Sequence, residues 1–260
     1  MTTGTANAWV LSQLEFYTAW QAVGRDRTPF PIESRLTAEY RTDLDRECKV
    51  AARKLVDLTR ADDGLYRALQ ALAQPQVHVM MFGYRLDGRE RMVRMHAGID
   101  AGGVGGVLVQ EPGPDRELDA AGNIRVYLQG PGGAAARMVS LLPDVPPGKA
   151  HGVSINRLDL APSETWSANA HRSPRAQAVK FLRKPYRTYV EIKVDRGAAL
   201  DGWQDTGDYL RVVDFVEEGR YLITLGDRVE ATPLTADKLR ASIQQLIDRA
   251  AQEQRSSPWG

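Results

Sequence analysis

Apolar positions recur every three to four residues through the first seventy or so positions, and from Val77 onward they recur every second residue. The first of these periods belongs to helices packed by one face, the second to strands. In "WVLSQLEFYTAW", Trp9 to Trp20, Ser12 and Glu15 stand at the S-x-x-E spacing of a capping box, so a helix is predicted to begin at Ser12. Phe16, Trp20 and Val23 supply its apolar face, and Gly24 is placed to end it in the left-handed conformation. Trp9, Val10 and Leu11 are left ahead of it as a short strand. Thr37 to Arg60 predicts a longer helix with Tyr40, Leu44, Cys48, Ala51, Leu55 and Leu58 on one stripe, broken by Asp62-Asp63-Gly64. Leu65, Leu69 and Leu72 mark a third helix, which must stop before Pro75 because the residue ahead of a proline is pushed out of the α region.

The change of period at Val77 opens a run of strands. "VHVMMFGYR" and "ERMVRMHAG" flank Asp87-Gly88, a dipeptide suited to the positive φ angles of a tight hairpin turn. "VGGVLVQE" and "NIRVYLQG" continue the meander. In the latter, Ile124, Val126 and Leu128 alternate with Arg125, Tyr127 and Gln129, as in a strand with one buried face. A small-residue helix from Gly133 to Leu142 closes this half, and "PDVPPGKAHG" reads as a connector.

The plan then repeats. "GVSI" is a short strand, Asn156 and Asp159 suggest a helix start, and helical or irregular sequence runs to about Tyr186. "TYVEIKV", "YLRVVDFV", "RYLITLG" and "RVEAT" follow as strands, with turns at Glu218-Gly219 and Gly226-Asp227. Thr235 caps a last helix with Leu239, Ile243, Leu246, Ile247 and Ala250 on its apolar side. Each half has too few helices to cover both faces of its own sheet, so the halves are expected to share one sheet and one core. The expected fold is a single α+β domain over residues 1–260 with pseudo-two-fold duplicated halves, 9–143 and 152–250. A largely antiparallel central β-sheet carries helical bundles packed against it.

Composition narrows the function. Lys and Arg number 34 against 33 Asp and Glu, a net charge of +1, so no global field recruits nucleic acid or anionic lipid. A secretory signal needs an early basic region and an unbroken apolar run, whereas the first basic residue is Arg25 and Gln13 and Glu15 interrupt the apolar stretch. No stretch is long and apolar enough to span a bilayer. The single cysteine, Cys48, excludes an internal disulfide and is expected to be a buried thiol in a reducing compartment. These readings place the protein in the cytoplasm, without stable membrane insertion.

Motifs that would make an enzyme fail on context. Gly102, Gly103, Gly105 and Gly106 precede a strand rather than a helix, so they read as strand glycines under close approach instead of a phosphate loop. "PPGKA" lacks the upstream glycine and the Ser/Thr of a P-loop, and "GVSIN" lacks the second glycine of a nucleophile elbow. His78, His96, His151 and His171 have no helical ligand spacing, although His78 and His96 can meet across the hairpin. No catalytic, cofactor or metal residues are assigned. Arg172, Arg175, Lys180, Arg183, Lys184 and Arg187, interleaved with Phe181 and Tyr186, leave a nucleic-acid-binding alternative on the basic 171–187 segment. An enzyme with a nonlocal site is the other alternative.

The two ends of the chain carry a resemblance. "WVLSQLEFYTAWQAVG" is similar to the opening strand and Glu-Phe-x-x-x-Trp helix of the EspG family, chaperones of the type VII (ESX) secretion systems of actinobacteria. "DFVEEGRYLITLGDRVEATPLTADKLRASIQQLI" resembles the closing strands of that family, with their Gly-Arg-Tyr element, and its final helix. Where relatives often carry Arg-x-Gly-Gln, this chain has "YRTYVEIKV", with Arg187 but no Gly-Gln. The resemblance implies a duplicated α+β fold and a cytosolic, non-enzymatic chaperone without cofactor. Its partner would be a PE–PPE heterodimer held at the apolar PPE tip, kept soluble and directed to its ESX machine. A homodimer is an open alternative for the free protein.

An apolar helical tip needs a groove or sheet face with aliphatic or aromatic anchors and a polar rim. Three segments are candidates: the hairpin tip with Leu86 and Arg89; Trp203 in the loop "LDGWQDTGD"; and the second half's sheet face around Val190, Ile192, Val213 and Phe215.

Overall fold

The computed structural model describes residues 8–86, 91–113, 120–149, 152–160, 173–199 and 207–256. The first half contains β1 (Ala8–Leu11), α1 (Gln13–Ala22), α2 (Arg41–Ala61), α3 (Gly64–Ala73), β2 (Val77–Arg85), β3 (Arg91–Ile99), β4 (Gly105–Pro112), β5 (Ala121–Gln129) and α4 (Gly133–Ser140). The second contains β6 (Val153–Asn156), a 3-10 turn (Arg157–Leu160), α5 (Pro174–Leu182), β7 (Tyr186–Arg196), β8 (Asp208–Phe215), β9 (Gly219–Leu225), β10 (Arg228–Pro233) and α6 (Ala236–Ser256).

The strands form one ten-stranded antiparallel sheet in the order β1-β5-β4-β3-β2-β7-β8-β9-β10-β6. From either edge inward the order is the same: first strand of the half, then its meander in reverse. The halves join where β2 pairs with β7 over nine residue pairs, from Val77 opposite Arg196 to Arg85 opposite Thr188. The architecture is α+β, with one sheet shared as the helix shortage required.

Local chemistry accounts for the element ends. Ser12 Oγ accepts from the Glu15 amide at 3.2 Å while the Ser12 amide donates to Glu15 Oε2 at 2.9 Å, so the capping box is complete. Gly24 follows with φ +82°. The Lys238 amide donates to Thr235 Oγ1 at 3.1 Å at the start of α6. Asn156 Oδ1 accepts from the Leu158 amide, and where a helix start is expected the described residues form the 3-10 turn. Helix α2 begins four residues later than predicted, and its stripe is buried only at Ala51 and Leu55; Tyr40 is exposed, and Leu44 and Cys48 are half-buried. Cys48 is therefore not the fully buried thiol expected.

Helices cover both faces. On one face α4 and α6 pack over the centre of the sheet, burying Val79, Met81, Ala97, Val107, Val190, Ile192, Val194 and Val212 against Met138, Leu239, Ile243 and Ile247. On the other, Phe16, Trp20, Leu55, Leu65 and Leu69 of α1–α3 cover Leu108, Ile124 and Val126. Over the second half of that face, Phe181 and Leu182 of α5 pack on Val213, Phe215, Tyr221 and Ile223. Strand β5 is consequently buried on more than the one face expected: Tyr127, opposite in direction to Val126, is also buried, with the Arg137 guanidinium 4.7 Å from its ring centroid.

The strand glycines act through close approach. Gly98 and Gly106 are register partners on β3 and β4, and the backbone of α3 rests on the pair. A Cβ on Gly98 would lie 2.6 Å from the Ala71 carbonyl oxygen and 2.7 Å from Leu72 Cα. The absent side chains let helix and sheet meet backbone to backbone.

The connector between halves is held firmly. Arg220, 1% exposed, donates from Nε and Nη2 to both carboxylate oxygens of Asp214 at 2.7 and 2.9 Å, and from Nη2 to the Pro143 carbonyl at 2.8 Å. Its amide donates to the Pro146 carbonyl and its own carbonyl accepts from the Gly148 amide. Gly219 before it has φ +108°, and a Cβ there would stand 2.7 Å from the carbonyl oxygens of Pro146 and Pro147. Tyr221 after it is fully buried. The Gly-Arg-Tyr element is thus the point where the connector is laced to β9.

Candidate functional site

Among the described residues, the sequence-predicted site residues do not meet in one place. Leu86 follows β2, half-buried, and its amide donates to the Arg187 carbonyl at 2.6 Å. Arg89 with the Asp87-Gly88 turn, Trp203, His151, His171 and Arg172 lie outside the described residues. The sheet-face candidates require correction: Val190 and Ile192 are fully buried beneath α6, and Val213 and Phe215 are buried beneath α5. Successive strand residues face opposite sides, and here both sides carry a helix. These four side chains are core, not open surface.

The basic segment is dispersed in the same way. Phe181 packs edge-on against Phe215 and Tyr221, with ring centroids 5.1 and 5.2 Å apart, so its ring is spent in the core. Arg175 donates to the Leu160 carbonyl and Lys184 pairs with Glu218. Lys180, Arg183 and Arg187 are exposed.

One open feature that sequence reasoning missed lies at the hairpin end of the sheet. Helix α4 ends at Ser140, and between Leu141 and the described ends of β2 and β3 a groove is lined by residues of β3, β4 and β5. The groove has a volume of about 340 Å³. Its floor is Val93, Met95, Val109 and Tyr127, and Leu141 forms a wall. Arg85, Arg91 and Arg125 stand around it with one carboxylate, Glu111, which pairs with Arg125 at 2.5 Å. An apolar floor with an arginine rim suits an apolar projection flanked by acceptors. One signal for it stands in the sequence: Arg85 and Arg91 bracket the hairpin tip that is itself a candidate.

Several polar groups are buried without forming a reactive constellation. Arg94 pairs with Glu33 at 3.0 Å, and Gln110 donates to the Glu33 carbonyl while accepting from the Glu33 amide, so the 29–35 segment is tied to the sheet. Tyr189 donates to Glu191 at 2.7 Å; burial and then that bond push its hydroxyl up to about 12. His78 and His96 do meet across the hairpin, with near-parallel rings 5.9 Å apart. Among the described residues, no group of three or more His, Cys, Asp or Glu is placed to hold a metal ion. No helix among them is long and apolar enough to cross a membrane.

The ten-stranded α+β sheet, with a Gly-Arg-Tyr element that clamps the connector and a capped first helix that follows an edge strand, agrees with the α+β fold that the resemblance of the two ends implies. The chain belongs to the EspG family, whose family model matches residues 12–245, from the cap of α1 into α6. EspG proteins are chaperones associated with type VII secretion and its substrates. A search of curated proteins found no match.

Proposed function

We propose that this chain is a cytoplasmic chaperone that binds PE–PPE heterodimers at the apolar tip of the PPE protein, keeps them soluble and directs them to an ESX secretion system. The observation that carries this reading is the groove at the hairpin end, where half-buried Val109 and Leu141 stand beside the buried Val93, Met95 and Tyr127, with arginines around them. Burying apolar surface contributes roughly 25 cal/mol per Å², and a client tip seated here withdraws its own apolar surface from water as well. Met95 lets the floor adjust to the tip, since an unbranched thioether repacks with little strain. Leu86 follows Arg85 in sequence, and Arg89 belongs to the short connection between Arg85 and Arg91, so both are assigned to the client contact. Trp203 is kept as a separate candidate anchor. The proposed mechanism needs no cofactor and no catalytic group.

Val109→Asp and Leu141→Asp change half-buried groove positions and should weaken PE–PPE binding about 30-fold or more, the size of an interface hot spot. Calorimetry with purified heterodimer measures the affinity, and a melting curve that moves by only a few degrees shows the scaffold intact. Unchanged affinity in both variants would remove the groove from the interface. A gel-shift assay at physiological salt tests the exposed Lys180, Arg183 and Arg187 for nucleic-acid binding and is expected to show none.

A further inference from the structure

On the face opposite α4 and α6, His78 of β2 and His96 of β3 hold down two segments from different halves. The Phe30 carbonyl accepts from His96 Nδ1 at 3.0 Å, and the Gly197 carbonyl accepts from His78 Nδ1 at 2.8 Å. A carbonyl can only accept, so Nδ1 carries the proton in each ring and Nε2 is a bare lone pair in the neutral form. His96 Nε2 is buried without a hydrogen-bond partner. It lies by a cavity of about 180 Å³ between the two segments, lined by Arg25, Asp26, Arg27 and Pro29 from one and by Ala198 and Ala199 from the other, with Trp20, Leu72 and Ala73 completing the wall.

We propose that His78 and His96 form an acid-sensitive latch that fastens segments 24–32 and 197–199 to the sheet and releases them together when the rings take up protons. The closed latch has no good place for a second proton on His96. Its Nε2 has no acceptor, the His78 ring lies alongside, and α3 contributes only apolar side chains and the Ala73 carbonyl, which Arg25 already occupies. Asp26 and Arg27, both exposed, bring opposite charges to the cavity. Beside His78, β7 supplies Asp195, which favours the charged ring, and Lys193, which opposes it. Burial, reinforced by His78, holds His96 down to about 3, and burial lowers His78 as well, against the pull of Gly197 and Asp195.

The sign follows from linkage. A histidine freed by opening titrates near 6.5, so below that pH the open form binds a proton that the closed form refuses. Opening therefore grows as pH falls, by up to tenfold per pH unit for each histidine released. Between pH 7 and pH 5 the gain is about 25-fold for His96, and His78, lowered as well, adds to it in the same direction.

Hydrogen exchange at pH 7 and pH 5, corrected for intrinsic amide rates and read by mass spectrometry, tests this on the full chain. Peptides covering 24–32 and 197–199 should gain about 25-fold or more in opening relative to peptides from β4 and β5. His96→Asn retains a side-chain N–H for the Phe30 carbonyl but cannot titrate, and should cut the gain by about 25-fold. If that variant does not fold, His78→Asn should lower the gain in the same direction, and the wild-type comparison decides alone if both fail. Latch peptides that follow β4 and β5 at both pH values, or a gain retained in full by a folded variant, would overturn the proposal.

Discussion

Arg220→Met is expected to cost about 3–5 kcal/mol of folding stability, the usual penalty for removing one partner of a buried ion pair. Asp214, 1% exposed, would be left buried without the two guanidinium bonds that now satisfy both its oxygens. The same substitution also releases the Pro143 carbonyl, where the connector leaves α4. Against a domain stability of roughly 5–15 kcal/mol this is a large fraction. Urea unfolding measures it as a lower midpoint. Pairing the change with Asp214→Leu should recover part of the loss, because two apolar side chains then replace a half-emptied ion pair. A single substitution that shifts the stability by less than about 1 kcal/mol would show that the clamp contributes little.

Gly98→Ala should be the second severe change, at about 3 kcal/mol, the upper range for forcing one methyl group into a packed interior. Its neighbours are the Ala71 carbonyl and Leu72 Cα, so no rotamer change can make room. Helix α3 has to lift from β3 and β4, which loosens Leu65, Leu69 and Leu72 together. Thermal unfolding should fall by several degrees. Gly102→Ala provides the control: a Cβ there meets nothing closer than a carboxylate oxygen of Asp100 at 3.3 Å, and its melting should stay near wild type.

The parts of the fold that were legible in sequence are those in which neighbouring residues solve a local problem. Ser12 with Glu15 closes a helix start, the alternation from Val77 to Ile99 makes two paired strands, and Thr235 opens the last helix. Which side of a strand a helix will cover is not written in the strand itself. Val190 and Val213 sit on opposite sheet faces with α6 over one and α5 over the other, so both looked available until the layers were in place. Arg94, Lys193, Asp214 and Arg220 are buried charges that periodicity does not single out: Arg94 pairs with Glu33, Asp214 with Arg220 of the adjacent strand, and Lys193 with Asp195 of its own strand. The groove was invisible for the same reason. Val93, Val109, Tyr127 and Leu141 come from four elements or their ends, and only the assembled sheet brings them to one groove.

The seam between β2 and β7 bears on how the chain can be cut. Val79 and Met81 on one strand and Val190 and Ile192 on the other are fully buried, and nine register pairs stitch the strands together. Cutting the chain inside the Pro143–Gly148 connector and separating the pieces would turn β2 into a long, bare, apolar edge on one fragment and do the same to β7 on the other. Open edges of that kind recruit any strand at hand, most readily an identical one. The severed halves are therefore poor candidates for independent modules, while the two fragments mixed together have in each other the template that each has lost.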